Sequence, residues 1–189
     1  VEIGHFALLL ALALALVQTA VPAWGAYARD ERLMDVGPPA ALAQLILVAG
    51  AFAALTHAYV VSDFSVENVY LNSHSAKPLL YRISGVWGNH EGSILLWVLT
   101  LSLFGAAVAL FGSRLPQTLR ANVLAVQGAM AAAFMLFVVL TSSPFRRLVS
   151  APAEGLGLNP ILQDPALAFH PPFLYAGYVG FSIAFAFAI

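Results

Sequence analysis

The sequence predicts an all-α fold, a polytopic membrane bundle of about five transmembrane helices with two long loops. Hydrophobic residues make up 61% of the chain and charged residues only 9%, whereas soluble domains average about 25% charged residues. The apolar residues are gathered into stretches of roughly twenty, the length that a helix needs to cross a bilayer. Because lipid offers no hydrogen-bond partners to the backbone, each stretch is expected to be helical.

Five stretches qualify in chain order, at residues 3–24, 40–62, 93–111, 122–142 and 171–189. The first has Glu2 and no Lys or Arg at its start, so we interpret it as a retained helix and not as a secretory signal. The fifth is apolar up to Ile189, and the chain begins with Val1. We therefore expect residues 1–189 to form a single transmembrane domain that is the N-terminal fragment of a larger protein.

The connections alternate between short and long. Residues 25–39 and 112–121 form short loops, and residues 63–92 and 143–170 form long ones. Alternating helices put both long loops on one side of the membrane. The excess of Lys and Arg that marks cytoplasmic loops does not decide the orientation, because each pair of loops carries four such residues. Charge density favours the short loops as cytoplasmic.

Composition excludes several classes of function. The net charge is −1, so no basic surface for nucleic acid is expected. Cysteine is absent, which excludes disulfides, thiolate metal sites and thiol chemistry within these residues.

The first long loop ends in a group of candidate functional residues just before the third helix. His90 and Glu91 are the candidates there, with Trp87 and His74 upstream. Adjacent residues point to different faces of a helix, so His90 and Glu91 are not an obvious catalytic pair. The alternative is that Asn89 or Ser93 caps the helix, Glu91 suits its positive N-terminal end, and Trp87 anchors at the interface.

The second long loop ends at His170, which precedes Pro171 and Pro172. Proline favours the first turn of a helix, and the residue before proline is held extended. We therefore expect His170 at or just before the N-cap of the fifth helix, where the positive end disfavours imidazolium. A neutral imidazole with an aromatic wall is a candidate ligand of haem iron; that wall would comprise Phe169, Phe173 and Tyr175. The alternative is a histidine that only forms hydrogen bonds at the interface.

Both loops carry long motifs that resemble one family. The stretch DFSVENVYLNSHSAKPLLYRISGVWGNHEGSILLW (Asp63–Trp97), the stretch LNPILQDPALAFHPPFLYAGYVGFSIAFAFAI (Leu158–Ile189) and the start EIGHFALLLALALALVQ resemble the N-terminal part of CcmF. This family comprises the haem lyase subunits of bacterial cytochrome c maturation. The sister family of NrfE-type lyases shares the features. The resemblance covers essentially the whole chain.

The resemblance implies a multi-pass protein of the bacterial inner membrane, with loops 63–92 and 143–170 in the periplasm. Family members take haem from the chaperone CcmE and ligate it to the CXXCH motif of apocytochrome c, together with CcmH. His170, in FHPP, matches the first of two periplasmic histidines that serve as axial ligands of the incoming haem. His90, Glu91, Trp87 and Tyr175 lie in the matching motifs and are further candidates for haem binding.

The family's tryptophan-rich segment, its second periplasmic histidine and its ligands of b-type haem are expected outside this fragment, which alone would be inactive as a haem lyase. Two other functions are kept as alternatives. A transporter or channel subunit would need polar residues within the helices, where the sequence has few beyond Gln44, His57 and Gln127. A scaffold of the maturation complex would dock partners without binding haem.

Overall fold

A computed structural model describes all residues from 1 to 189. The regular structure of the chain is all helical, with one isolated bridge between Val66 and Arg147 and no strands. Its α-helices are α1 (Glu2–Ala28), α2 (Glu31–Met34), α3 (Gly37–Val60), α4 (Glu67–Asn72), α5 (Leu79–Ser84), α6 (His90–Phe111), α7 (Gln117–Thr141) and α8 (Pro165–Ala188). Single 3₁₀ turns occupy Gly112–Arg114 and Pro160–Leu162.

Five of these segments are long and apolar enough to cross a bilayer, which confirms the predicted all-α bundle. The helices begin earlier than the hydrophobic stretches suggest, because polar and proline residues start them. α6 begins at His90 because the Asn89 side chain accepts a hydrogen bond from the Gly92 amide, as expected for one of the two predicted caps. α7 follows Pro116, and α3 has proline in its first turn.

Helices α1, α3, α6 and α7 form the packed part of the bundle. α1 lies between α3 and α7, and α6 packs on the same two helices, whereas α8 lies on the outside against α6 and α7. Small residues allow α1 and α7 to approach each other closely. A Cβ atom added to Gly128 of α7 would lie 2.9 Å from Thr19 Oγ1 and 3.1 Å from the Ala15 carbonyl oxygen of α1, so the two backbones meet there.

Three buried glutamines connect the helices within the membrane-crossing part. Each donates one hydrogen bond across the bundle, from Gln18 to the Leu124 carbonyl (2.8 Å), from Gln44 to Ser102 Oγ (3.0 Å), and from Gln127 to Ser182 Oγ (3.2 Å). All three glutamine side chains are turned inward. They are therefore interhelical contacts and do not line an open path.

The two long loops pack against each other at one end of the bundle, as their predicted common side requires. The Glu67 amide donates to the Arg146 carbonyl and the Leu148 amide donates to the Ser65 carbonyl, both at 2.9 Å. Further along, the Leu156 amide donates to the Tyr70 carbonyl at 2.8 Å. We call the two connected loops, with α4 and α5, the loop layer.

Arg147 fastens the loop layer to the start of α1. Its Nε donates to Glu2 Oε1 at 2.6 Å, and its Nη1 lies 3.5 Å from Asp63 Oδ2 and also contacts Ser65 Oγ. The hydrogen bond to Glu2 raises the pKa of Arg147, and the carboxylates of Glu2 and Asp63 add to the effect. Arg147 is therefore a charged link between both loops and the first helix.

Candidate functional site

The fifth membrane-crossing helix begins inside the second long loop. Asp164 has extended backbone, and its side chain accepts hydrogen bonds from the amides of Ala166 (2.8 Å) and Leu167 (3.2 Å). Pro165 takes the first helical position, where its missing N–H is not needed. The Asp-Pro pair therefore starts α8 six residues before the predicted position at 171.

This start overturns the expected environment of His170. The residue lies in the second turn of α8, followed by Pro171 and Pro172 inside the helix, and it is neither a cap nor extended. The prediction was wrong because the strong cap at Asp164 lies upstream of the double proline. The field of a helix N-terminus fades beyond the first turn, so the predicted influence of the helix end does not reach His170.

A hydrogen bond from Trp87 compensates for proline in the second turn of α8. Pro172 has no N–H, so it cannot donate to the carbonyl of Ala168 four residues earlier. The Trp87 indole Nε1–H donates to that carbonyl at 2.9 Å, and Ala168 is buried. The Trp87 ring also stacks on Phe52 of α3, with 6.4 Å between ring centroids. Trp87 therefore fixes the first turns of α8 against the rest of the bundle.

The His170 side chain is exposed and forms neither a hydrogen bond nor an ion pair with any residue of the chain. Helical spacing places it on the side of α8 opposite the buried Ala168 and Val179. An apolar surface continues along the helix below it. We call this surface the α8 stripe; its other members are Phe173, Leu174, Gly177 and Phe181, all exposed.

An apolar groove borders the α8 stripe. It lies between α6, α7 and α8, has a volume of about 370 Å³, and is lined almost entirely by hydrophobic side chains that include Trp97, Phe134 and Phe181. Tyr175 does not join the stripe. Its hydroxyl is hydrogen-bonded to Ser93 Oγ of α6, and its ring meets Trp97 edge-on. Of the three predicted aromatic neighbours, Phe169 and Phe173 are exposed and Tyr175 faces the bundle.

His90 and Glu91 lie apart from the α8 stripe. The imidazole Nε2 of His90 is 3.2 Å from Ser142 Oγ at the end of α7. Glu91 Oε2 accepts a hydrogen bond of 3.2 Å from Asn68 Nδ2 in α4. As expected for neighbours on a helix, the two side chains diverge: His90 contacts the end of α7, whereas Glu91 contacts α4 of the loop layer.

Sequence reasoning missed a buried amide network beneath the loop layer. Tyr59 Oη donates to Asn68 Oδ1 at 2.7 Å, Asn68 Nδ2 donates to Asn89 Oδ1 at 2.8 Å, and Asn89 Nδ2 donates back to Tyr59 Oη at 3.0 Å. The ring of bonds joins α3, α4 and the start of α6. Its members are spread over thirty positions of sequence, so no local pattern indicates it.

A small polar cavity opens above this network. It has a volume of about 160 Å³, and its lining combines two carboxylates, an amide, three hydroxyls, one leucine and Arg146. Arg146 pairs with Glu67 at 3.4 Å between Nε and Oε2. No group of three or more His, Cys, Asp or Glu side chains in the chain is arranged to hold a metal ion.

These features define a multi-pass membrane protein with an exposed, unpartnered histidine above an apolar helix face. Comparison with known proteins identifies its family. A sequence model described as Cytochrome C assembly protein matches residues 87–189, more than half of the chain. The chain belongs to the cytochrome c assembly protein family.

Curated relatives align with the whole of this chain. It is 62% identical to the cytochrome c-type biogenesis protein ccl1 of Rhodobacter capsulatus over 100% of this chain and 29% of that protein. It is 50% identical to CcmF of Escherichia coli, again over 100% of this chain and 29% of that protein. NrfE of Haemophilus influenzae is 39% identical over 100% of this chain and 30% of that protein, whereas CcmF of the same organism is 47% identical.

A solved structure shows the same architecture. The chain described as "Cytochrome c Heme Lyase CcmF" superposes with a TM-score of 0.84 and 26% sequence identity, over 99% of this chain and 29% of that one. The chain thus spans about 29% of the length of the proteins it matches. The predicted resemblance to CcmF-type proteins is confirmed.

Proposed function

We propose that this chain binds haem, as a substrate, at the face formed by the loop layer and the α8 stripe, and supports its covalent ligation to apocytochrome c. The observation that carries the proposal is the exposed His170 imidazole, which has no partner within the chain and lies directly above an apolar surface. Haem iron takes an imidazole as axial ligand, and the porphyrin needs an apolar surface beside it.

The chain's contribution would be positional. His170 would hold the iron, and Trp87 would keep α8 in register so that the imidazole stays fixed relative to the bundle. In thioether formation, each cysteine thiol adds across a vinyl group of haem without a leaving group. The thiols would come from the CXXCH motif of apocytochrome c, since this chain has no cysteine. Orientation of reacting groups alone can contribute about 7–11 kcal/mol to such a step.

Partners and location belong to the same proposal. The haem chaperone CcmE would deliver the substrate, and CcmH would present apocytochrome c at the loop layer. The protein would lie in the bacterial inner membrane, with the long loops in the periplasm. Single cysteines introduced into this cysteine-free chain at Ser150 and Ser113, both exposed, test the orientation. A membrane-impermeant maleimide added to intact spheroplasts should label Ser150→Cys and leave Ser113→Cys unlabelled; the reverse pattern would overturn the orientation.

The haem site is tested with His170→Ala in the intact protein. His57→Ala is the matched control, because His57 is also an exposed histidine but lies on α3. We expect His170→Ala to lose the absorption band of imidazole-ligated haem and most of the cytochrome c yield, and added imidazole to restore the band. His57→Ala should retain both.

The outcomes separate the alternatives. An unchanged haem spectrum and an unchanged yield in His170→Ala would refute the ligand assignment. An unchanged spectrum with a reduced yield would instead favour a scaffold that docks partners. A transport function is disfavoured by the inward, hydrogen-bonded glutamines of the bundle, and proteoliposome flux measurements would test it directly.

A further inference from the structure

Lys77 and Arg82 form a cationic pair in the loop layer that no carboxylate neutralises. Neither residue has an acidic oxygen within ion-pair distance, although every other long-loop arginine does. Glu154 of the second long loop, which contacts the loop that carries Lys77, is held by other groups: it accepts from the Ser75 amide at 2.9 Å and lies 3.8 Å from His74. The two positive charges therefore have no counter-ion within the chain.

Burial makes this lack of a counter-ion costly. Lys77 retains only 7% of its surface exposure, and its Nζ donates one observed hydrogen bond, to the Asn72 carbonyl at 3.2 Å. Lysine is almost never this buried without a partner. Burial lowers the pKa of Lys77 to about 8, and the nearby Arg82 guanidinium lowers it further in the same direction. An anion beside the two cations would relieve both effects.

The guanidinium of Arg82 also has an unused hydrogen-bond donor. One guanidinium nitrogen, Nη1, donates to the Val60 carbonyl at 2.8 Å, and Val60 is the last residue of the membrane-crossing helix α3. The Nε of the same guanidinium is buried without a hydrogen-bond partner. Arg82 thus lies beside the end of a membrane-crossing helix, and its guanidinium has one donor without a partner.

The surface beside the pair is apolar. Leu79 and Leu80, at the start of the short helix α5, are 51% and 38% exposed, and Val61 just past α3 is 55% exposed. Exposed leucines next to basic residues at the end of a membrane helix are typical of a segment that rests in the lipid interface. A soluble anion would gain nothing from these side chains, whereas a lipid would cover them with its acyl chain.

We propose that Lys77 and Arg82 bind the phosphate of an anionic phospholipid headgroup, with the lipid's acyl chain covering Leu79, Leu80 and Val61. This site does not depend on the proposed haem function. It would hold the loop layer at a fixed height on the membrane. The ligand chemistry is a phosphate group, and free inorganic phosphate is the alternative source.

Native mass spectrometry of the intact, delipidated protein tests the proposal. Phosphatidylglycerol and phosphatidylcholine with identical acyl chains are titrated separately, with inorganic phosphate in a third arm. Each basic residue near an anionic lipid surface adds about fivefold in affinity. We therefore expect Lys77→Gln and Arg82→Gln each to weaken phosphatidylglycerol binding about fivefold. Arg146→Gln is the matched control, because that arginine is paired with Glu67, and it should leave binding unchanged.

A second readout reports on the site directly. Lys77 is the only lysine in the 189 residues, so its reaction with an amine reagent at pH 9 can be followed by peptide mass. Bound phosphatidylglycerol should slow this reaction, because an anion favours the charged ammonium. Equal binding of the two lipids, or affinity unaffected by both substitutions, would overturn the site. Equally tight binding of inorganic phosphate would overturn the lipid as its source.

Discussion

The hydrogen bond from Trp87 to the Ala168 carbonyl gives a quantitative test of how α8 is held. Trp87→Phe removes the indole donor, and Pro172 cannot replace it because proline has no N–H. The carbonyl belongs to a residue that is only 2% exposed, so water cannot readily take over. Leaving a buried acceptor without a partner costs about 1–3 kcal/mol, and we expect the free energy of unfolding to fall by that amount.

The same structure supplies the control and a rescue. Trp97→Phe removes a similar amount of aromatic surface on α6, where the structure gives the indole no hydrogen bond. Pro172→Ala returns an N–H to α8 that can donate to the Ala168 carbonyl within the helix. The double variant Trp87→Phe with Pro172→Ala should therefore recover about 1 kcal/mol relative to Trp87→Phe alone.

The measurement is reversible unfolding in mixed detergent micelles, combined with amide hydrogen exchange of the first turns of α8. Exchange in those turns should accelerate in Trp87→Phe and return toward the original rate in the double variant. If Trp87→Phe destabilises the protein no more than Trp97→Phe, or if Pro172→Ala gives no recovery, the indole does not support the proline-containing turn.

Three further predictions use the same unfolding assay. Gly128→Ala should cost about 1–3 kcal/mol, because its Cβ would meet the α1 backbone, whereas Gly177→Ala, whose Cβ meets nothing within 4 Å, should not destabilise. Ser102→Ala should cost about 1 kcal/mol by leaving Gln44 without its partner, and adding Gln44→Leu should restore most of it. Without anionic lipid, the free energy of unfolding should rise as pH increases from about 8 to 10.5. In that range Lys77 keeps its proton in the unfolded chain but loses it in the folded protein, because burial lowers its pKa to about 8. A flat profile, or the same rise in Lys77→Met, would contradict this.

The membrane-crossing helices could be predicted because their signal is local. A run of apolar residues long enough to span the bilayer must be helical whatever it packs against, and all five runs are helices in the structure. The cap at Asn89 was also predictable, since its side chain needs only the amide three residues ahead. Helix starts were placed too late wherever polar or proline residues begin a helix.

The surroundings of His170 could not be predicted from sequence spacing alone. Pro171 and Pro172 are individually typical of a first turn, and the residue that makes them tolerable, Trp87, lies 81 positions from the carbonyl it satisfies. The usable local signal was Asp164 followed by Pro165, which is a helix start in its own right. The exposure of His170 on the α8 stripe follows only once that start is known.

The pairing of the two long loops could not be predicted from the sequence for a similar reason. Its backbone hydrogen bonds join residues about eighty positions apart, such as Glu67 with Arg146 and Tyr70 with Leu156. Nothing in either loop's own composition specifies its partner, and the charge count leaves both orientations open. The proposed anion site at Lys77 and Arg82 could not be predicted either. Two basic residues five positions apart indicate a site only when their burial is known.

The close packing of α1 against α7 has a consequence for how the chain is made. α1 leaves the ribosome before α7, which carries Gly128 and accepts the Gln18 hydrogen bond at the Leu124 carbonyl, and α3 and α6 emerge between them. At a synthesis rate of about 5–20 residues per second, α1 waits on the order of ten seconds for α7. During that interval the Gln18 amide lacks the Leu124 carbonyl as its hydrogen-bond partner, and an unpaired amide in an apolar environment costs free energy.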